Sequence, residues 1–579
     1  MKVDYSTLRK RLQEIGEAPS WYTTSGIQLF YEKYSFEEET PKSRYEAIAK
    51  AMAQHAPSVK PEWWESDTYT QGLSWEEVFF KALWDGFISP STPLLANGGL
   101  RKRGTTVSCA GGNVGNNLFD RYNAITEAAI LTKHSHGTSY SIDDWPAEGE
   151  PLRRGGYSLG VMPIVRDFIN CMDEVTQAAR RGSLAYSIGL SHGDFYAVAD
   201  NLYLNPESNN VGWLIKDSDV NKMRNKDKET LKRFQRTLEV KLPRGRGYYT
   251  FIDKCNRHLA EAFKLKGLKT NASNLCQETN LPSNEEYTFS CVILCYNLEL
   301  WDSWPEHLVQ IGQVMSDCNI SEYLETMDEM TDVDKIAMRK IYKFTKEFRS
   351  LGSGVLGWHT LMQMKSIPVA SMDAMLLNEE IFSRLDRDSK EATRWLASVV
   401  GEPEGCKGLG IRNATRLMMP PTKSTAEIMA GASEGIGLDV AMVFTKQSAG
   451  GEFFRINKVL LKLMKERGVY NDENINLLAR SKGSVQQVSW LTEHEKKVFL
   501  TAFEIPMEWV INLAAQRQKY IDQGQSLNLY FTSNDSEEYI SKIHRMAFDN
   551  EDILSLYYIY SVRGADGLVR DLDSCDMCQ

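Results

Sequence analysis

The chain has 579 residues, of which 42% are hydrophobic and 25% are charged, a balance typical of globular proteins. No window approaches the roughly 18 uncharged apolar residues of a membrane-spanning helix, and the N-terminus lacks the apolar core of a signal peptide. The formal net charge of −10 argues against a nucleic-acid coat or a membrane-surface protein.

The number and spacing of the cysteines and histidines exclude further classes of protein. Ten cysteines in a chain of 579 residues are too dilute for a disulfide scaffold, so we expect thiols in a reducing, cytoplasmic compartment. The nine histidines are scattered, with no HExxH and no pair of CxxC motifs. The sequence therefore predicts no zinc or iron–sulfur site built by this chain.

Residues 1–90 have the pattern of a helical region. Ser74 and Glu77 form a capping box that opens a helix, and the apolar positions that follow recur with the helical period: Trp75, Val78, Phe79, Ala82 and Leu83. Pro90 is expected to stop the chain from continuing this helix.

Beyond residue 90, short apolar runs alternate with helical stretches, which predicts an α/β protein. Long helices are expected again over 491–519. Residues 562–579 carry little periodicity and are expected to form a flexible tail.

Two cysteines occupy strand-like runs, Cys109 after Thr106-Val-Ser and Cys291 before Val-Ile-Leu. Each by itself is most often an inert buried thiol. They matter only if the fold brings them beside Cys276, which spacing alone does not show.

An amide, a thiol and a carboxylate alternate at Asn274, Cys276 and Glu278. On a strand these three side chains would share one face, and a carboxylate near a thiol is a plausible general base beside a redox centre. The competing interpretation is a buried cysteine on an edge strand with solvated neighbours.

The segment from Pro420 to Glu427, PPTKSTAE, precedes a helix-like run. A capping box between Ser424 and Glu427 explains it structurally. It also suits an anion site, where hydroxyls and free N–H groups bind a phosphate. Both interpretations stay open.

Near the C-terminus, the run LYYIY (556–560) is typical of an ordinary β-strand with aromatic side chains. Beside a redox centre, its adjacent tyrosines would also suit a one-electron relay. Cys575 and Cys578 have the CxxC spacing, which favours thiol–disulfide exchange over half of a zinc site.

Taken together, these motifs resemble the catalytic (large, alpha) subunit of ribonucleotide reductase, most specifically that of class I. The matching segments, in family order, are SNLCQE (273–278), RNATRLMMPPTKSTA (412–426), YIDQGQSLN (520–528), LYY (556–558) and CDMC (575–578). The resemblance implies a ten-stranded α/β barrel of two parallel five-stranded halves around a central finger loop. It divides the chain into an N-terminal helical region (1–104), the barrel (105–561) and a redox-active tail (562–579).

The resemblance also implies roles. Cys276 matches the cysteine that becomes a thiyl radical and takes the 3′ hydrogen of the ribose, Glu278 the general base on the 3′ hydroxyl, and Asn274 the amide that orients the sugar. This match places the three residues on a loop tip rather than on a strand.

A second group of matches concerns the reducing equivalents. Cys109 and Cys291 match the pair that becomes a disulfide as the 2′ hydroxyl leaves as water, and Cys291 matches better than Cys295 because it stands six residues before Asn297. The tail pair, Cys575 and Cys578, matches the dithiol that re-reduces this disulfide and is recharged by a thioredoxin- or glutaredoxin-like protein.

Tyr557 and Tyr558 match the stacked tyrosines that pass a radical from a partner subunit. The resemblance therefore implies no cofactor bound by this chain, and a small (beta) subunit that holds a dimetal site of iron or manganese. By analogy with class I, we expect ribonucleoside diphosphates as substrates.

The nucleotide sites are also implied by resemblance. The positions that match the substrate pocket are Thr92, Ser108 and Gly137, and those that match the phosphate loop are Thr422, Ser424 and Thr425. The positions that match the effector site for ATP or a dNTP, at the interface of a homodimer, are Gln177 and Arg181 for the base and Arg153 and Arg154 for the phosphates. A polar turn and a solvated arginine pair are the alternatives for these four.

Two departures from the family pattern stand out. Where many members carry an acidic residue that holds the effector ribose, this chain has Asn116 and Asn117. The helical lead-in begins almost at once and leaves no room for an ATP-cone, so we expect no overall control by dATP through such a domain, as in small phage-encoded members.

Three other hypotheses remain open. A class II reductase dependent on adenosylcobalamin would keep the cysteines without needing the tyrosine pair. A thiol–disulfide oxidoreductase centred on CDMC would leave SNLCQE and PPTKSTA unexplained. A nucleotide-binding regulator would bind ligands without needing Cys276.

Overall fold

The computed structural model of the chain describes residues 3–177, 180–448 and 451–562. The α-helices in these ranges are α1 (Tyr5–Glu14), α2 (Thr24–Leu29), α3 (Pro41–Ala53), α4 (Trp75–Trp84), α5 (Thr92–Asn97), α6 (Leu118–Lys133), α7 (Met162–Glu174), α8 (Phe195–Leu204), α9 (Asp217–Arg224), α10 (Lys228–Arg244), α11 (Ile252–His258), α12 (Glu261–Leu265), α13 (Leu308–Asp328), α14 (Asp332–Ala337), α15 (Arg339–Phe348), α16 (Trp358–Met364), α17 (Met372–Val400), α18 (Lys423–Ile428), α19 (Lys458–Glu466), α20 (Asp472–Arg480), α21 (Glu493–Val498), α22 (Met507–Gln518) and α23 (Glu537–Asp549). None of the helices in this part of the chain has the length and apolarity needed to cross a membrane.

The strands are short and lie mostly in the first two thirds of the chain. They are β1 (Ile88–Pro90), β2 (Cys109–Asn113), β3 (Gly137–Ser141), β4 (Thr176–Gln177), β5 (Arg180–Arg181), β6 (Leu184–Gly189), β7 (Val211–Ile215), β8 (Tyr248–Phe251), β9 (Phe289–Asn297), β10 (Leu351–Leu356), β11 (Val443–Ser448), β12 (Gly451–Ile456), β13 (Leu529–Thr532), β14 (Ser555–Leu556) and β15 (Ile559–Val562). A π-helical turn spans Phe30–Tyr34, and 3-10 turns span Pro206–Ser208, Leu298–Ser303 and Glu404–Cys406.

The N-terminal region is helical, as the sequence predicts. Ser74 caps α4 in a reciprocal box with Glu77, and all five apolar positions predicted for its inner face are buried. The expectation for Pro90 is wrong: α4 ends at Trp84, Gly86 turns the chain at φ +79°, and Pro90 is the last residue of β1. Gly86 supplies the turn because a residue without Cβ adopts positive φ at little cost.

The barrel wall is one curled sheet. Five consecutive strands, β2, β3, β6, β7 and β8, pair in parallel. The strands that flank this parallel set run in the opposite direction: β9 is antiparallel to β2, and β14 is antiparallel to β8. On its other side β9 pairs in parallel with β10.

The second half of the wall is closed by single bridges. Ser353 of β10 bridges Leu417, Met419 bridges Gln525, and both bridges are parallel. The N–H of Tyr557, next to β14, donates to the carbonyl of Leu527 at 2.8 Å, which completes the ring. The expected α/β barrel is thus confirmed, whereas the count of ten strands stays a prediction because 417–419 and 525–527 form isolated bridges and no ladders.

A loop without regular secondary structure, residues 269–283, fills the centre of the barrel between α12 and β9, and we call it the finger loop. Residues 272–283 are all buried, although most of them are polar. Gly137 in the wall admits the loop, because a Cβ there would lie 2.6 Å from Leu275. The strand that spacing suggested for this segment is wrong; the loop implied by the resemblance is what the structure contains.

The expectation of long helices over 491–519 is only partly correct. α22 has 12 residues, but α21 has six and ends at Val498. The chain then passes through an irregular segment to Pro506, which precedes α22 and, lacking an N–H, suits a helix start.

Candidate active site

The tip of the finger loop is folded around the side chain of Asn274. Its Oδ1 accepts the N–H groups of Glu278 (3.1 Å) and Thr279 (3.2 Å), while its Nδ2 donates to Glu278 Oε1 at 2.8 Å. Gln277 turns the backbone at φ +68°. This tight turn directs the Asn274 amide and the Glu278 carboxyl toward each other.

The carboxyl group of Glu278 is almost completely buried. The residue is 1% exposed, and burial raises the pKa of its carboxyl to about 7, although its hydrogen bonds with Asn274 and Ser526 act in the opposite direction. Ser526 Oγ lies 2.9 Å from Oε2 and 2.7 Å from the carbonyl oxygen of Cys276. A group with this pKa can take or release a proton near neutral pH.

The thiol of Cys276 contacts a pair of tyrosines. It is fully buried, with Sγ 3.6 Å from the hydroxyl oxygen of Tyr557. The rings of Tyr557 and Tyr558 follow at a centroid distance of 4.2 Å. The structure therefore brings together the residues that the resemblance assigns to thiyl formation and radical transfer.

A buried lysine supports the tyrosine pair. Lys241 of α10 donates to the carbonyl oxygen of Tyr557 at 2.6 Å and to that of Gly247 at 2.5 Å. Burial lowers the pKa of its amino group well below the ordinary value. These bonds hold the backbone of Tyr557 against α10 and the start of β8.

A second sulfur centre lies on the barrel wall. Cys109 of β2 and Cys291 of β9 are direct cross-strand partners in the antiparallel pair. Both are free thiols, and the pKa of Cys291 is raised, chiefly by burial and then by its hydrogen bond with Cys109. Antiparallel partners have Cα atoms about 4.5–5.5 Å apart, within the roughly 4.4–6.8 Å that a disulfide spans.

The finger loop reaches this second centre as well. Thr279 Oγ1 donates to Cys291 Sγ at 3.6 Å. Cys295, the weaker match by sequence, pairs instead with Ser89 of β1, four residues farther along β9 than the partner of Cys109. The register of the sheet thus selects Cys291 as the neighbour of Cys109.

Two of the three predicted substrate-pocket residues lie beside Cys109, Ser108 in sequence and Gly137 on the neighbouring strand. Gly137 is the register partner of Cys109, and its N–H donates to the Ser108 carbonyl at 2.8 Å. The hydroxyl of Ser108 is buried, and no described residue accepts or donates a hydrogen bond to it. Thr92 begins α5, with Oγ1 3.2 Å from the hydroxyl of Tyr34.

The predicted phosphate loop surrounds the start of α18, but not through the expected capping box. Thr422, at φ +51°, precedes the helix and its hydroxyl accepts the N–H of Gly435 at 2.7 Å. Ser424 lies inside the helix, and Glu427 forms an ion pair with Arg455. The capping-box prediction is wrong because the helix starts one residue before Ser424; Thr425 donates to the Thr422 carbonyl instead.

One lysine at this loop was not found by sequence reasoning. Lys33, in the π-helical turn, donates to Ser424 Oγ at 2.7 Å. The adjacent Tyr34 contacts Thr92, so one turn joins the two predicted substrate segments. No local signal marks Lys33, because it lies 391 residues from Ser424 in the chain.

The predicted effector residues lie in an exposed loop, just before α6 and in a hairpin. Arg153, Arg154 and Asn116 are exposed, Asn116 directly before the Asn117 that caps α6. Gln177 and Arg181 belong to the β4–β5 hairpin, and their side chains lie outside the described residues. Cys575 and Cys578 also lie outside the described residues.

One group of metal-type ligands occurs in the described chain, with two of its members on α13. His55, Glu322 and Glu325 have ligand atoms within 4.8 Å of one another. Arg101 forms ion pairs with Glu322 (2.8 Å) and Glu325 (2.6 Å). A guanidinium therefore supplies the positive charge between these carboxylates.

Known families and solved structures include proteins that are similar to this chain. A family model described as "Ribonucleotide reductase, barrel domain" matches residues 215–408 and 402–559, and one described as "Ribonucleotide reductase, all-alpha domain" matches residues 20–103. The chain is similar to the Actinobacillus ureae class Id ribonucleotide reductase alpha subunit, with a TM-score of 0.84, 28% identity, and coverage of 94% of this chain and 98% of that one.

Two curated relatives show the same likeness. A putative ribonucleoside-diphosphate reductase large subunit of Frog virus 3 (isolate Goorha) is 32% identical, with 58% of each chain covered. The ribonucleoside-diphosphate reductase subunit alpha of Chlamydia trachomatis is 25% identical, with 93% of this chain and 59% of that protein covered. The chain thus spans less than two thirds of the length of these curated relatives.

Proposed function

The chain belongs to the ribonucleotide reductase family, and we propose from this premise that it reduces ribonucleoside diphosphates to 2′-deoxyribonucleotides through a thiyl radical. The observation that carries the proposal is the finger loop. It contains a buried thiol in contact with a tyrosine, and a carboxyl group with a pKa of about 7. It also contains a threonine that contacts Cys291, one of the two thiols on the barrel wall.

The first step is the oxidation of Cys276. Tyr557, as a phenoxyl radical, takes the hydrogen atom of the Cys276 thiol, which leaves a thiyl radical at Sγ. The contact of 3.6 Å between Sγ and the phenol oxygen supports this transfer. The thiyl radical then removes the 3′ hydrogen of the ribose.

The second stage is the loss of the 2′ hydroxyl. Glu278 accepts the proton of the 3′ hydroxyl, and Asn274 orients the sugar. The 2′ hydroxyl leaves as water with a proton from the thiol pair. Cys109 and Cys291 together give up two hydrogen atoms, one to the leaving water and one to C2′, and form one disulfide. Cys276 then returns its hydrogen to C3′, and Glu278 returns its proton to the 3′ oxygen.

The substrate is held at both ends in this proposal. Thr92, Ser108 and Gly137 line the pocket beside the thiols. The hydroxyls of Thr422, Ser424 and Thr425 bind the diphosphate. Lys33 supports this assignment, because its ammonium group donates to Ser424 Oγ and a cation at this loop favours an anion.

The partners follow from the class I assignment. A small subunit with an iron or manganese dimetal site generates the radical and passes it through Tyr558 and Tyr557. Cys575 and Cys578 re-reduce the Cys109–Cys291 disulfide and are recharged by a thioredoxin- or glutaredoxin-like protein. ATP or a dNTP acts as specificity effector in a homodimer, through Gln177, Arg181, Arg153, Arg154 and Asn116.

The test is the conversion of CDP to dCDP with excess dithiol and ATP or dTTP as effector. Three reactions run in parallel: the chain alone, the chain with adenosylcobalamin, and the chain with a metal-loaded small subunit. We expect product only in the third. Product with adenosylcobalamin alone would assign the chain to class II, and nucleotide binding without any product would contradict the reductase proposal.

A further inference from the structure

The aromatic row that begins at Cys276 does not end at the tyrosine pair. The ring of Tyr560 lies 5.6 Å from that of Tyr558, measured between centroids. Tyr530 stacks on Tyr560 at a centroid distance of 5.2 Å, with 12° between the ring planes. A continuous series of phenols therefore extends from the active-site thiol through positions 557, 558 and 560.

The members of this row differ in their access to solvent. Cys276, Tyr557 and Tyr558 are 0%, 2% and 8% exposed, and Tyr530 is 5% exposed. Tyr560 is partly exposed, whereas the other members of the row are buried. A protein that docks on the surface around Tyr560 would reach this partly exposed ring more easily than the buried ring of Tyr558.

Strand pairing explains the stack of Tyr560 on Tyr530. Tyr530 of β13 and Tyr560 of β15 are register partners in a parallel pair, a common place for aromatic contacts. Tyr558 precedes β15, and its ring turns toward both Tyr557 and Tyr560. Both neighbours of Tyr558 in this row are thus tyrosines, each with an oxidisable phenol.

We propose that Tyr560 is a further radical-transfer residue, the outermost in this chain, which receives the oxidation from the partner subunit and passes it to Tyr558. The inference rests on the proposed class I function. It adds one residue to the relay and places the contact with the partner at the surface around Tyr560.

Each transfer moves one electron and one proton. An oxidant of the tyrosyl-radical class on the partner takes the phenolic hydrogen of Tyr560 and becomes reduced. The Tyr560 phenoxyl radical takes a hydrogen atom from Tyr558, which takes one from Tyr557, which takes one from Cys276. The same transfers run in reverse after product forms, so that every phenol regains its hydrogen.

The experiment uses the full chain with a metal-loaded small subunit, CDP and effector. Tyr560→Phe keeps the ring and removes the oxidisable hydroxyl, and Tyr530→Phe is the matched control on the facing strand. In a second preparation 3-aminotyrosine, which is oxidised more easily than tyrosine, replaces Tyr560, and the radical is read by electron paramagnetic resonance. Thermal unfolding and the KM for CDP report on structure.

We expect Tyr560→Phe to lower kcat by about tenfold or more, a barrier increase of about 1.4 kcal/mol or more, with KM and melting temperature unchanged. Tyr530→Phe should keep kcat close to that of the unmodified chain. An aminotyrosyl signal at position 560 should form only when partner, substrate and effector are all present.

Two different failures can be told apart. If the unmodified chain makes dCDP with the small subunit, but Tyr560→Phe keeps full kcat and no radical forms at position 560, the inference is wrong and Tyr560 only packs against Tyr530. If the unmodified chain makes no dCDP, the proposed function fails, and the relay fails with it.

Discussion

The barrel contains two sulfur centres that are equally buried but differently surrounded. Cys276 is 0% exposed and its sulfur contacts the phenol of Tyr557. Cys109 and Cys291 are 1% and 2% exposed, and each faces the other thiol across two paired strands. The two centres therefore differ in their neighbouring side chains and not in their burial.

The difference matches two kinds of redox chemistry. A thiol beside a phenol can exchange one hydrogen atom, whereas two adjacent thiols can give up two electrons together and close a disulfide. The finger loop joins the two centres, since Asn274 and Glu278 lie beside Cys276 in sequence and Thr279 contacts Cys291. Variants that separate one-electron from two-electron steps therefore test the comparison directly.

The largest effect is expected from Cys276→Ser. A serine hydroxyl does not form a radical under conditions in which a thiol does, so dCDP formation should fall below detection even with excess dithiol. Serine is close to cysteine in size, so thermal unfolding should change little. Nucleotide binding, measured by equilibrium dialysis with CDP, should persist; undiminished turnover would refute the thiyl assignment.

At the second centre, Cys109→Ser and Cys291→Ser should each stop reduction after radical transfer, because one remaining thiol cannot supply two hydrogen atoms. The hydrogen of Cys276 should still exchange with C3′, measured as tritium released from 3′-labelled CDP. Cys295→Ser is the matched control on the same strand, and we expect it to keep turnover close to normal. Equal losses in all three variants would mean that the register of β9 does not select the reducing pair.

These two centres also show what could be predicted from the sequence. Local patterns found α4, because its capping box and apolar stripe lie within ten residues. The strand predicted around Cys276 was wrong, since alternation also arises in a buried loop whose polar side chains bond to one another. The resemblance to a known family, not spacing, indicated the loop.

Contacts between residues far apart in the chain could not be predicted from local sequence patterns. Ser424 and Glu427 have the spacing of a capping box, but tertiary partners, Lys33 and Arg455, engage their side chains instead. Ser526, which bonds to Glu278, lies 248 residues away in the chain. No local pattern identifies such a residue, because its role exists only once the barrel closes.

Glu278 stands two residues after Cys276 on the finger loop. Glu278→Gln removes the proposed general base and should lower kcat by about 10²–10⁴. In the unmodified chain activity should rise with pH through about 7, because the base must be ionised and its pKa lies there. The variant should lose this inflection, and an inflection that persists in Glu278→Gln would assign it to another group.

The same substitution should stabilise the fold at high pH. The pKa of Glu278 is about 7 in the folded chain against an ordinary 4.5, so folding favours the protonated form. That stability is present below about pH 4.5 and is lost as pH rises through 7. Glutamine does not ionise, so at pH 8 the variant should gain about 3 kcal/mol of unfolding free energy relative to the unmodified chain.

Urea unfolding at pH 5 and pH 8 measures this difference. The gain should be small at pH 5, where the unmodified chain still benefits from a protonated Glu278. A gain that is independent of pH would show that glutamine improves packing or hydrogen bonding, and that ionisation of Glu278 does not limit stability.

The smallest effect is expected from Ser526→Ala. The serine hydroxyl bonds to Oε2 of Glu278 and lowers the pKa of that carboxyl, so its removal should raise the pKa above about 7. The pH profile of kcat should move to higher pH, by about one unit or less, which corresponds to about 1.4 kcal/mol. Activity lost at pH 7 should return at higher pH, which a general loss of structure would not allow.

Ser555→Ala is the matched control, because its hydroxyl bonds to the carbonyl oxygens of Gln277 and Gln525 and not to Glu278. Both serines are buried near the finger loop, so both variants should lose comparable stability, about 1–3 kcal/mol for buried groups left without a partner. Only Ser526→Ala should shift the pH profile. If both variants shift the pH profile equally, the finger loop as a whole sets the pKa of Glu278. The chemical difference between the two sulfur centres then depends on the backbone of this loop more than on any one neighbouring side chain.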